Sequence, residues 1–155
     1  MGSARVIIET VTPRLTAVIA QTTNWEEFPK LWSQLLDEVY TFVRASSDLA
    51  AEAGSSPAWQ NIMLYKDQKP NVEIGVLAPR PFKPGGRIIA SHLPGGNAAM
   101  AVHRGDYAQL STTHDVVRRY VEAHGLQPAG PRWEIYGHWR ENPDELETEI
   151  YYLLR

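Results

Sequence analysis

An α+β fold is expected, a duplicated β-α-β-β unit with an antiparallel sheet and both long helices on one sheet face. Three observations predict it. Two long amphipathic helical stretches occur, each preceded by a proline-broken extended stretch and followed by two further strands. Pro79-Arg80-Pro81-Phe82-Lys83-Pro84-Gly85-Gly86 is too rich in proline and glycine for helix or central strand, and it splits residues 1–155 of a single domain into halves of about 5–78 and 87–154. Two helices with one apolar stripe each can cover only one sheet face, so the other face is expected to stay open as a concave groove.

The elements follow in order. Arg5 to Val11 and Leu15 to Thr22 read as extended, interrupted at Thr12-Pro13. Thr23 with Glu26 resembles a capping box, and Pro29 suits a first helical turn. Phe28, Trp32, Leu35, Leu36, Val39, Phe42 and Val43 then recur at helical spacing, which predicts a helix to about Ala51. Ile62–Tyr65 and Val72–Leu77 are predicted strands joined by a polar turn. After the linker, Ile88 to Leu93 is extended, Pro94-Gly95-Gly96 breaks it, and Ala98 to His103 resumes. Gly105-Asp106 opens a second helix carrying Tyr107, Leu110, Val117, Tyr120 and Val121, and Gly125 stops it. Trp133 to Trp139 and Thr148 to Leu154 complete the pattern as strands.

Composition narrows the function. With 155 residues the chain can bury a sizeable core, and its apolar content of 43% is that of an ordinary globular domain. The net charge is −3 and the basic residues are dispersed, a poor footprint for nucleic acid, so no duplex binding is expected at physiological salt. No apolar run approaches the ~20 residues of a membrane span, and no secretory signal is visible, so a cytoplasmic location is the default expectation. There is no cysteine, which excludes thiolate chemistry. The five histidines are scattered without metal-ligand spacing, and no phosphate loop, dinucleotide fingerprint or nucleophile elbow occurs. Neither a metal nor a cofactor is expected.

The segment Gly130-Pro131-Arg132-Trp133-Glu134-Ile135-Tyr136-Gly137-His138 puts a carboxylate in the middle of a predicted strand. Side chains alternate along a strand, so Glu134, Tyr136 and His138 share one face and Trp133 and Ile135 the other. A carboxylate in mid-strand is costly unless its face is wet, paired or a binding site. It is therefore either a solvated Glu on the polar side of a sheet or the charged contact of a groove. If Ile62, Leu64, Val72, Ile74, Trp133 and Ile135 take the helix side, then Glu134, Tyr136, Tyr65 and Glu73 point into the open groove. Trp59 and Trp139 sit at strand edges near turns, where an indole either walls a groove or packs on its rim. Trp32 and Trp133 are expected in the core. A desolvated acid with aromatic walls suits flat, lipophilic cations.

Leu93-Pro94-Gly95-Gly96, Ala101-Val102-His103-Arg104-Gly105-Asp106-Tyr107, Glu122-Ala123-His124-Gly125-Leu126, the Gly130–Tyr136 segment, Asn142-Pro143 and Glu147-Thr148-Glu149-Ile150 form a series that resembles the GyrI-like domain family. The resemblance is dense over 88–155 and looser over 5–79. It implies a pseudo-twofold groove that binds small molecules, often bulky, lipophilic or cationic. It matches Glu134 and Tyr136 to the family's acid and tyrosine. In regulators of this family the domain is fused to a helix-turn-helix segment, which this sequence lacks, so a one-chain DNA-binding regulator is not expected.

Three functions follow as expectations. The first is a stand-alone binding protein for lipophilic, aromatic or cationic molecules, with Glu134 supplying charge, Tyr136 a hydroxyl, and Tyr65, Met63, Trp59 and Trp139 apolar contact. The second is a hydrolase opening the strained ring of cyclopropane-bearing toxins, with Glu134, Tyr136 and, from the opposite side, Glu73 as its catalytic groups. The third is a module that acts on a protein partner such as gyrase. A second acid facing Glu134 favours the enzyme, and an apolar patch without a pocket favours the protein partner.

Overall fold

The computed structural model describes residues 4–49, 59–138 and 140–155. Eight strands form one antiparallel sheet: β1 (Ile7–Val11), β2 (Arg14–Thr22), β3 (Asn61–Tyr65), β4 (Asn71–Leu77), β5 (Ile89–Leu93), β6 (Gly96–Arg104), β7 (Pro128–Tyr136) and β8 (Glu147–Leu154). Helix α1 spans Phe28–Ala45 and helix α2 spans Leu110–Ala123. The strand order is β1-β6-β8-β7-β3-β4-β2-β5. Exchanging the first four strands for the last four leaves that order unchanged, and the exchange axis falls between β7 and β3.

The two proline breaks are where the chain leaves one end of the sheet for the other. β1 pairs with β6 at one end, and β2 pairs with β5 at the other. Only Thr12 and Pro13 join β1 to β2, and only Pro94 and Gly95 join β5 to β6. Two residues cannot span six strand spacings of ~4.8 Å in a flat sheet, so the sheet must curl until its ends approach each other. The joints meet: a Cβ on Gly95 would lie 2.5 Å from the Pro13 ring. Each "broken strand" of the sequence is thus two strands at opposite ends of the sheet.

The curl decides which faces are covered. Cross-strand partners share a face, so Leu64, Glu73, Trp133 and Tyr151 point one way, while Met63, Ile74, Glu134 and Ile150 point the other. The first face is filled by the sheet's own side chains, with Val18, Ile62, Leu64, Leu93, Ala98, Trp133, Ile135 and Tyr151 in one cluster. Strands as far apart in order as β6 and β2 contribute to it. The second face carries both helices. α1 buries Leu35, Val39 and Val43 against Ala17, Ile19, Ile74 and Val76, and α2 buries Val117 and Val121 against Ala99, Ala101, Ile150 and Tyr152.

Both helices therefore share one face as expected, but the expected groove on the bare face is corrected. That face closes on itself, and Ile62, Leu64, Trp133 and Ile135 lie inside the curl, not beneath the helices. Gly75 marks how tightly the strands pack there: a Cβ would come within 2.0 Å of the Ala17 carbonyl oxygen. Gly75→Ala is expected to destabilise the fold by about 3 kcal/mol, the upper end of overpacking costs. The shift in urea midpoint measures it, and a shift below a quarter of that size would contradict the close approach.

Local signals differ from expectation in detail. Asn24, not Thr23, prepares the first helix, with its Oδ1 accepting from the Glu26 and Glu27 amides at 3.0 and 2.8 Å. α1 stops at Ala45, where Ser46 turns extended. Asp106 caps a short 3-10 turn, Tyr107–Gln109, that leads into α2. β7 begins at Pro128, five residues before the expected Trp133, because Gly130, at φ 117°, absorbs a register shift between Pro128 and Arg132. His103 ties β6 to α2 through contacts of 2.7 Å to Thr113 Oγ1 and 2.9 Å to the Asp106 carbonyl.

Candidate functional site

Helix width and strand spacing together leave a trough. A helix with its side chains is about 10 Å across and so covers about two strands. α1 lies over β2 and β4, and α2 over β6 and β8. The two middle strands, β3 and β7, are left between them. The result is a cavity of about 660 Å³ with β3 and β7 as its floor and the helices as its walls.

Each wall is one row of side chains at i, i+4 spacing. α1 presents Phe28, Trp32, Leu36 and Tyr40, beside its core row. α2 presents Leu110, His114 and Arg118, again beside the row that packs on the sheet. The floor is Met63 and Tyr65 from β3 with Arg132, Glu134 and Tyr136 from β7. Trp25, Trp59 and Tyr107 complete the rim. Tyr107 meets Tyr136 edge-on at 5.4 Å between ring centroids.

Glu134 is 4% exposed at the centre of this floor. His114 Nε2 lies 2.6 Å from its Oε2, and the Tyr136 hydroxyl donates to its Oε1 at 2.7 Å. The chain of contacts continues outward. His114 Nδ1 lies 2.6 Å from the Tyr152 hydroxyl, and Arg118 Nη1 donates to that hydroxyl at 3.0 Å. With the Nε2–H tautomer of His114 every group has a partner. Arg118 donates to Tyr152, Tyr152 donates to His114 Nδ1, and His114 donates to Glu134. A buried carboxylate with a donor on each oxygen is the arrangement that makes its burial tolerable.

The tyrosines stay protonated donors. Burial first, and then the neighbouring Glu134 charge, push the Tyr136 hydroxyl well above its ordinary range. Burial also raises Tyr152, against the opposing pull of Arg118. Tyr65 is raised mainly by burial and next by the Glu134 charge, and its hydroxyl faces Met63 Sδ at 3.5 Å.

Of the residues singled out in the sequence, Glu134, Tyr136, Tyr65, Met63 and Trp59 all line this cavity. Glu73 does not, and its expected position across from Glu134 is corrected. It pairs in register with Leu64 and so points to the opposite sheet face. There its carboxylate meets Lys66 Nζ at 2.7 Å. Trp139 lies outside the described residues. Trp32, expected in the core, is 40% exposed and overhangs the cavity. His138 is exposed, at the cavity's edge.

The sequence reading missed His114, Arg118 and Arg132. Signals for them existed. Leu110, His114 and Arg118 form an i+4 row next to an apolar stripe, and Arg132 shares strand parity with Glu134. Among the described residues, no group of three or more His, Asp or Glu could hold a metal ion, and no helix is long and apolar enough to cross a membrane.

Solved structures share this fold at low sequence identity. The EcmrR C-terminal domain superposes with a TM-score of 0.74 at 16% identity over 98% of both chains. The chain spans 57% of the EcmrR chain in its DNA complex, with a TM-score of 0.73 and 17% identity. A hydrolase from Listeria innocua superposes at 0.61 and 12% identity, over 100% of this chain and 94% of its own. SAV2435 bound to tetraphenylphosphonium superposes at 0.60 and 10% identity, over 97% of this chain and 94% of its own. No curated protein matches the sequence. The family pattern of the GyrI-like small molecule binding domain matches residues 5–155, and the chain belongs to that family.

Proposed function

We propose that this chain binds bulky lipophilic aromatic molecules, cations among them, in the cavity between α1 and α2, with Glu134 as the charged contact. The observation that carries this reading is one buried carboxylate on the floor of an aromatic-walled cavity of about 660 Å³. Pockets of this size and character suit drug-sized ligands. Glu134 is the single acid among the described lining residues, which favours binding over two-acid catalysis. A deep trough walled by two helices also favours a small molecule over a protein partner. The tetraphenylphosphonium held by SAV2435 is a ligand of this kind on the same fold.

A panel of aromatic dyes, cationic and neutral, titrated by fluorescence tests the reading. Trp32→Ala provides the internal check, since Trp32 overhangs the cavity and is not in the core. It should weaken the dyes that bind by about 1 kcal/mol, the scale of one aromatic contact, with little change in thermal midpoint. No binding across the panel would refute the proposal.

The hydrogen-bonded Glu134–Tyr136 pair supports a second reading, hydrolysis of a cyclopropane conjugated to a dienone. Water would add to the ring methylene and lose its proton to Glu134. The ring C–C bond would break towards the dienone, whose oxygen would take a proton from Tyr136. Mass analysis of such a compound after incubation separates the two readings: a gain of one water favours turnover, and unchanged mass favours binding.

A further inference from the structure

The cavity holds a charge that the family reading leaves unused. Arg132 stands two residues before Glu134 on the same face of β7, roughly 6.5–7 Å along the strand. Its guanidinium lies over the Tyr65 ring at 4.8 Å and the Trp25 ring at 5.4 Å. Those rings cover the flat face of the guanidinium and take up none of its N–H groups, which point outward in its plane. Nη1 is shielded from solvent and has no hydrogen-bond partner among the described residues. Arg132 itself lines the cavity, so the guanidinium borders the space a ligand would fill.

The neighbouring charges do not meet it. Arg118 is engaged by Asp115 and Tyr152. Glu134 already accepts from His114 and Tyr136. Among the described residues, Arg132 is thus the cavity cation without an anionic partner, flanked by two aromatic rings. A planar guanidinium fork of this kind can pair with the two oxygens of a carboxylate through parallel N–H donors.

We propose that the preferred ligands are dipolar aromatic acids, in which a cationic or donor-bearing ring system near Glu134 also carries a carboxylate that pairs with Arg132. This rests on the cavity being a small-molecule site, as proposed above. A cation alone would satisfy Glu134 and leave Arg132 both unmet and repelling. A carboxylate placed one strand repeat away would satisfy both ends of the floor at once.

Rhodamine B and its ethyl ester isolate the effect, because they share one xanthylium cation and differ in the free carboxylate. Fluorescence polarisation at pH 7.5 should show the acid binding the native protein about tenfold more tightly than the ester. Arg132→Gln should abolish that preference, and Arg132→Lys should retain part of it. An ester that binds the native protein as tightly as the acid would overturn the inference and leave the small-molecule reading standing. So would a preference unchanged in Arg132→Gln. If neither dye binds, this inference fails, and the cavity reading fails with it when the wider dye panel also shows no binding. The comparison of the two dyes on native protein decides the question even if a variant folds poorly.

Discussion

Glu134→Gln is expected to weaken N-methylacridinium by about 2 kcal/mol while changing the affinity for neutral acridine by less than about 0.5 kcal/mol. The first figure is the scale of a lost charge-assisted contact. The substitution keeps the side-chain shape, so the aromatic walls and the volume are preserved. It does disturb the proton chain. An amide in place of the carboxylate turns one oxygen into a donor; where that donor faces His114, the imidazole accepts at Nε2 and donates from Nδ1 to Tyr152. The Tyr152 hydroxyl, which already accepts from Arg118, then loses its acceptor. A loss of stability of about 1 kcal/mol is therefore expected alongside the binding effect. Titrating both dyes against native and variant protein separates the two consequences. Equal losses for the two dyes would mean damaged packing, and the charge role of Glu134 would be refuted.

Trp133→Ala should have the largest effect on stability, about 4 kcal/mol, within the range for deleting a buried tryptophan. The indole is 2% exposed inside the curled sheet and stacks on Tyr151 at 5.2 Å with 9° between ring planes. Domains of this size are typically stable by about 5–15 kcal/mol, so a large part of the total is at stake. The urea midpoint measures it. Trp133 and Glu134 are adjacent in sequence yet point to opposite sheet faces, so the folded fraction of Trp133→Ala should bind dye as the native protein does. A variant of near-native stability that had lost dye binding would mean that the two faces had been assigned the wrong way round.

Much of this architecture can be read from local pattern. Period-two alternation placed Glu134 and Tyr136 together and apart from Trp133 and Ile135. The same rule split Tyr151 from Tyr152, which now lie in different clusters. Helical periodicity located α1 and α2, and the prolines at 13 and 94 marked real interruptions. These features depend on backbone geometry over a few residues, and so the sequence alone determines them.

What lay beyond the sequence was which face is buried by what. An alternating strand has two faces, and its pattern does not say which will meet a helix. Both faces of β7 are largely buried here, one by the curl and one by the cavity floor. The curl arises because two-residue links at Thr12-Pro13 and Pro94-Gly95 join opposite ends of the sheet, a consequence of strand order that no local signal carries. It closed the face where a groove had been expected, and it sent Glu73 to the far side from Glu134. In the same way, Phe28, Trp32 and Leu36 read as part of one apolar stripe with Leu35, Val39 and Val43, and Tyr40 extends their row. Only the distance between the helices, set by two uncovered strands beneath them, makes the first row a cavity wall and the second row core. His114 and Arg132 gained their significance in the same step, because the partners that define them lie far away in sequence and meet only across the tertiary fold.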